Sequence, residues 1–352
     1  MLAAAFKLKC GNLPGLVRHT AVGTCQPVSL AQAAWHRWLV SNVEALKAPA
    51  GQISANLKES RGVLRLHGED IHQFLNGIIT NNPKLLQNGT TDVMYTALLN
   101  SHGRFMHDAF LCATGEPFGI LADVDKEHLP DLVKMLNRYK LRAKVTVEDV
   151  SQDYDVWTRF NPSPDNQECQ RGWPQDPRLK ELGQRAILPK GTDTGSNDHC
   201  EDPPAAYRRL RHTLGIAEGP SEIPQGSAVP LEYNLDGLNA ISFSKGCYVG
   251  QELVARTHFQ GMVRKRLMPI ALQDDSAAGD VEAGTSVFAE GSARPVGKIV
   301  AMDGAAGMAV IRLEVAFGLE ESPLHVGQKD GPLIRAQRPS WWPQEWGQEQ
   351  SL

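Results

Sequence analysis

The sequence contains no Cys-x-x-Cys pair. Its six cysteines stand apart at positions 10, 25, 112, 169, 200 and 247, which gives little support to a self-contained zinc site or a four-cysteine cluster site. Six in 352 residues is also not the density of a disulfide scaffold, and a reducing compartment is the simpler setting. No run approaches the ~20 apolar residues that span a bilayer as a helix. Basic residues are not in excess: Lys and Arg number 36 against 40 Asp and Glu, for a net charge of −4. General nucleic-acid binding therefore has no electrostatic drive. No short-period repeat is present. What remains is an ordinary globular composition, 41% hydrophobic and 22% charged, long enough for one large or two modest domains with a real core.

One local scarcity stands out. Residues 1–50 carry Lys7, Lys9, Arg18, Arg37 and Lys47 but a single acid, Glu44, and open on Ala3, Ala4 and Ala5. Basic, acid-poor and Ala-rich, without a continuous apolar core, this reads as an organellar transit peptide rather than a secretion signal. Composition does not choose between mitochondrion and chloroplast. Cys10 and Cys25 would leave with the peptide.

Beyond it, Val63–His67 alternates like a strand, and Gly68-Glu69-Asp70 opens a helix whose apolar face is Ile71, Phe74, Leu75 and Ile78. Acids in its first turn would suit the helix dipole. Residues 93–99 and 104–112 read as strands joined by the turn Asn100-Ser101-His102-Gly103. A strand over 118–122, a helix over 126–139 and a strand over 143–150 follow. Residues 161–204, rich in Pro, Gly, Asp and Asn, form a loop-rich insertion with one ordered piece at Arg185–Leu188. The helix 205–214 carries Arg208, Arg209 and Arg211, read as a solvated face. From Lys265 onward short strands at 266–271, 286–289, 296–302 and 307–313 point to a small β-barrel or sandwich, with 339–352 as a tail. The fold class is α+β, divided into 1–50, 51–264 and 265–338.

The chemistry concentrates in Lys245-Gly246-Cys247-Tyr248-Val249-Gly250-Gln251-Glu252. A short helix follows, so Cys247 stands just ahead of a helix N-terminus, where unpaired N–H groups favour a thiolate. Lys245 would add positive charge. Gly246 and Gly250 allow unusual backbone angles and leave the thiol unobstructed. A tight turn around a buried cysteine fits the same residues. No partner base for a nucleophilic cysteine can be assigned from the sequence. One cysteine cannot hold an iron–sulfur cluster, which generally takes four protein ligands. A cluster on Cys247 would need further ligands from another protein or a small thiol.

This motif resembles the signature of the YgfZ proteins, relatives of the folate-dependent aminomethyltransferase. The likeness continues through Ala255-Arg256, Arg264-Lys265-Arg266, Pro230–Leu235, Gly68-x-Asp70 with Phe74-Leu75, and Leu99-Asn100-x-x-Gly103-Arg104. The Trp341-Trp342-Pro343 tail and the transit-like start are similar to the mitochondrial iron–sulfur assembly branch of that superfamily. The resemblance implies a ring of three subdomains around a folate-sized hole, and a matrix protein that matures 4Fe–4S enzymes with A-type scaffold proteins. Aconitase and lipoyl synthase are the implied kind of client. Cys247 is implied as ligand of a 2Fe–2S or 4Fe–4S cluster shared with the scaffold, with Lys245, Arg256 and Asp108 as cofactor-binding residues, for tetrahydrofolate in the case of Asp108. The aminomethyltransferase Asn-x-x-Gly-Gly turn and Asp-Asp pair become Gly103-Arg104 and His107-Asp108 here, so a folate-dependent one-carbon transferase is the alternative.

Overall fold

A computed structural model describes residues 52–346, apart from 115–117, 162–172, 193, 195–199, 275, 276, 278, 280, 319–322 and 329. The expected transit peptide, Cys10, Cys25 and Cys169 lie outside the described residues.

The N-terminal part is an antiparallel sheet of five strands: β2 (Arg61–His67), β3 (Val93–Leu99), β4 (Phe105–Ala113), β5 (Gly119–Asp125) and β6 (Thr146–Asp149), in the order β3-β4-β5-β2-β6. Successive strand side chains point to opposite faces, and β3 shows the result. Val93, Tyr95, Ala97 and Leu99 enter one core, and Met94 and Leu98 the other. The second core is closed by α1 (Ile71–Ile78), through Ile71, Phe74, Leu75 and Ile78, with α2 (Lys84–Gln87) just beyond it, and by Leu129, Leu132 and Leu136 of α3 (Leu129–Lys140). The acids ahead of α1 do not cap it. Asp70 accepts the N–H of Lys144 at 2.8 Å and Glu69 pairs with the Lys144 ammonium at 2.7 Å, tying the helix start to the approach to β6.

A second sheet joins β1 (Ile53–Asn56), β7 (Tyr154–Phe160) and β8 (Gln184–Pro189). β8 is the ordered piece expected inside the 161–204 insertion. α4 (Pro203–Leu214) packs against β1, starting on Asp202, whose carboxylate accepts the N–H of Ala205 at 3.0 Å, and ending on Gly215 in the left-handed region. The described part of 161–204 thus contributes a strand and a helix start.

The third element is a closed six-stranded barrel: β9 (Lys265–Leu272), β10 (Ser286–Ala289), β11 (Gly297–Asp303), β12 (Ala306–Arg312), β13 (Leu324–Val326) and β14 (Leu333–Ala336), with α5 (Gln251–Gln260) before it and α6 (Leu313–Ala316) after β12. The residue pattern of the sequence does not mark β1, β7, β13 and β14 as strands. Arg266 joins barrel to body. It is buried, donates to the Leu231 carbonyl at 2.9 Å and holds Asp236 with two bonds of 3.0 Å. The tail crosses the same seam. Trp341 Nε1 donates to the Leu214 carbonyl at 2.8 Å, the Trp346 ring lies 3.2 Å from the Arg266 guanidinium carbon, and Arg338 donates to the carbonyls of Pro343, Gln344 and Trp346.

Candidate functional site

Residues 239–250 run along the end of α1. Asn81 Nδ2 donates to the Asn239 carbonyl at 2.7 Å, Thr80 Oγ1 to the Ala240 carbonyl at 2.6 Å, and the Ser242 N–H to the Thr80 carbonyl at 3.0 Å. The Lys245 ammonium then donates to the carbonyls of Asn76 at 2.8 Å and Ile79 at 2.7 Å, and the Val249 N–H to that of Gly77 at 3.0 Å. The Asn76 and Gly77 carbonyls belong to the last turn of α1, where helical N–H partners have run out, and Ile79 is the extended residue that ends the helix. The ammonium also stands 4.9 Å from the centre of the buried Tyr248 ring. Burial pulls the Lys245 pKa down to about 8. Cys247 itself is free and exposed.

The far side of this loop locks into the Asn100–Gly103 turn. Asn100 Oδ1 accepts the N–H groups of His102 and Arg104 at 2.9 and 3.0 Å, and both Gly103 (φ +74°) and Gly250 (φ +82°) lie in the left-handed region. A Cβ on Gly250 would fall 2.4 Å from the Asn100 backbone carbonyl oxygen, and one on Gly103 would fall 2.6 Å from Leu253 Cβ. Two motifs 150 residues apart in sequence are thus one packed unit. Gly246 plays no such part: its nearest neighbour to an added Cβ would be Asn76 Nδ2 at 3.7 Å.

Arg256 is exposed on α5. Nearby on that helix His258 stacks on Phe243 with ring centres 3.6 Å apart, and Phe259 on the helix and Met262 just after it are exposed apolar side chains. Among the described residues no group of three or more His, Cys, Asp or Glu side chains is placed to hold a metal ion. Burial pushes the thiol of Cys112, on β4, up to about 12, which leaves it inert at neutral pH.

Asp108 is elsewhere. It faces the first core from β4, 1% exposed, with Oδ2 accepting the Tyr95 hydroxyl and the Gly219 N–H, each at 3.0 Å, and Oδ1 unpartnered. Burial raises its pKa, with Arg61 pulling the other way. It borders a buried network. Arg61 and Arg185 each bond Asp123 at 2.6 Å; Arg178 bonds Asp176 at 2.8 Å and Glu218 at 2.7 Å; Arg185 reaches Glu218 at 3.2 Å; Arg211 bonds Glu222 at 2.7 Å. Arg211 is therefore not on a solvated face, as its helix had suggested, but buried against acids from the following loop. Burial opposes the charge on Glu218, yet Arg185, Arg178, Arg211 and Arg61 hold its pKa well below the usual carboxylate range. Arg61, Asp123, Asp176, Arg178, Glu218 and Glu222 do not stand out in the sequence, and Arg185 stands there only as the start of an ordered piece; a charged residue next to the apolar run Ala186-Ile187-Leu188 was the available signal. Asp108 presents no open face, so the residues here do not fit a folate held through this carboxylate.

Residues 264–344 match the CAF17 C-terminal beta-barrel domain. The chain is 32% identical to the mouse (Mus musculus) mitochondrial iron–sulfur cluster assembly factor IBA57, over 93% of this chain and 98% of that one. It belongs to the IBA57 family. The human (Homo sapiens) IBA57 is 33% identical over 81% of this chain and 84% of its own. An IBA57 homologue of Pyricularia oryzae is 35% identical over 74% and 72%. The fold is that of the glycine cleavage system aminomethyltransferase T of Bartonella henselae, with a TM-score of 0.64 at 12% identity, covering 86% of this chain and 89% of that one. The IBA57 relationship and the aminomethyltransferase-like architecture agree with the resemblance drawn from the motif.

Proposed function

We propose that this chain is an assembly factor for mitochondrial iron–sulfur proteins, working in the matrix, and that Cys247 supplies one ligand to a cluster shared with an A-type scaffold protein. The IBA57 names, mitochondrial in each case, support the assembly role. The observation that carries the site is the display of Cys247: exposed and, among the described residues, in no group of three or more His, Cys, Asp or Glu side chains placed to hold a metal ion, on a loop bonded to the end of α1 on both sides of the cysteine. A 2Fe–2S or 4Fe–4S cargo generally takes four protein ligands, and the rest would come from the partner. Phe259 and Met262 give that partner apolar surface to cover. The delivered clusters would serve 4Fe–4S enzymes of the aconitase and lipoyl synthase kind.

Anaerobic reconstitution with an A-type scaffold tests the ligand role. The complex should show the visible absorption of a shared cluster, and Cys247→Ser should abolish it. Unchanged absorption in the variant would remove the ligand assignment. The folate-dependent transferase reading finds no observation in its favour at the closed Asp108 carboxylate.

A further inference from the structure

Cys247 is held from both flanks, two residues away on each side, and makes neither tie itself. Upstream, the Lys245 ammonium bridges the Asn76 and Ile79 carbonyls; downstream, the Val249 N–H reaches the Gly77 carbonyl between them. An ammonium offers three donors and no acceptor, and the carboxyl end of a helix is its negative pole, so this pairing is matched in both geometry and charge. Tyr248, between the ties, is buried beneath the ammonium. Two of the three donors of Lys245 are thereby committed to carbonyls at the end of α1, where the sequence had suggested a charge acting on the thiol.

We propose that Lys245 is a positioning residue that latches the Cys247 loop onto the end of α1 and so presents the thiol in one place. The proposal rests on Cys247 being the cluster ligand. A ligand already fixed in its bound geometry saves the ordering cost that a loose one incurs on association.

The test uses the full chain with Lys245→Met, Lys245→Arg and Cys247→Ser. Three quantities are read: hydrogen exchange at the amides of residues 246–249, the iodoacetamide alkylation rate of Cys247 at fixed pH followed by peptide mass, and the visible circular dichroism of the reconstituted complex. Loss of two charge-assisted bonds should raise exchange about tenfold or more in Lys245→Met. Alkylation should not slow, the cluster signal should weaken, and Lys245→Arg, which can still donate to both carbonyls, should restore exchange and signal together. Unchanged exchange overturns the latch, as does slower alkylation without faster exchange, which would mean a charge effect on the thiol. Faster exchange with a wild-type cluster signal also overturns it. If Lys245→Met does not fold, Lys245→Gln carries the same comparison, keeping a donor group without the charge. Cys247→Ser separates the two ideas: a retained cluster there removes the ligand role, whereas the exchange result for Lys245→Met speaks only to the latch.

Discussion

At the scale of single residues, the cysteine motif and the Asn100 turn are one joint, made by two glycines that face each other. The consequence is a contrast within the motif. Gly250→Ala forces an L-residue to φ +82° and places its Cβ 2.4 Å from the Asn100 backbone carbonyl oxygen. The backbone strain alone should cost about 2 kcal/mol, with the clash added. Gly246→Ala meets nothing closer than 3.7 Å and should stay within about 0.5 kcal/mol of wild type. Urea unfolding midpoints of the two variants check this, and equal midpoints would contradict it. The sequence showed both glycines flanking the cysteine, but which one the fold requires depends on Leu99 and Asn100, remote in the chain and adjacent only in space.

At the scale of elements, regular strands were legible wherever apolar and polar residues alternate or run unbroken, as in β2, β3 and β9. β7 was not, because Asp155, Thr158 and Arg159 interrupt its pattern. Asp155 and Thr158 are nonetheless buried. β13 has only three residues, too few for a period to register. The charged centre between the sheets was hidden for a related reason. A buried arginine reads as a solvated one until its acid is known, and Glu218 and Glu222 come from the loop after α4, while Asp123 comes from β5. Glu218→Gln removes the carboxylate charge shared by Arg178 and Arg185, leaving buried guanidinium groups undercompensated. A loss of about 3–5 kcal/mol is expected, measured by denaturant unfolding. Double substitution of Glu218 and Arg178 by apolar residues should cost less than the sum of the single changes, which a double-mutant cycle would show.

For the molecule as a whole, acid should act in two steps. His107 is buried, and burial holds its pKa down to about 4 from an ordinary 6.5. The unfolded chain takes up this proton first, so stability drops as pH falls from about 6.5 towards 4, by up to about 3 kcal/mol. Burial pushes Glu222 up, but Arg211 and His212 overcome it and hold its pKa at about 2 against an ordinary 4.5. Its contribution is complete above 4.5 and is lost as pH falls from there to about 2. His107→Gln should flatten the first step and leave the second, as read from unfolding free energy against pH. The overall architecture was legible only through the resemblance of the motif and its companions to a known superfamily. Alternation and helical spacing gave a mixture of strands and helices with a β-rich end, but no pattern in one chain states how three sheets are arranged.

The seam crossed by Trp341 and Trp346 also sets an order of events. Synthesis delivers residues from the N-terminus, so these two tryptophans emerge after every strand they help to fasten. Until then the Leu214 carbonyl waits for its indole donor and Arg266 for the ring that covers it. A premature stop between Ala336 and Trp341 would leave every strand of the described residues encoded, yet the junction of barrel and body would stay unsealed. Such a shortened product should be open to proteases along that junction while its barrel strands remain protected.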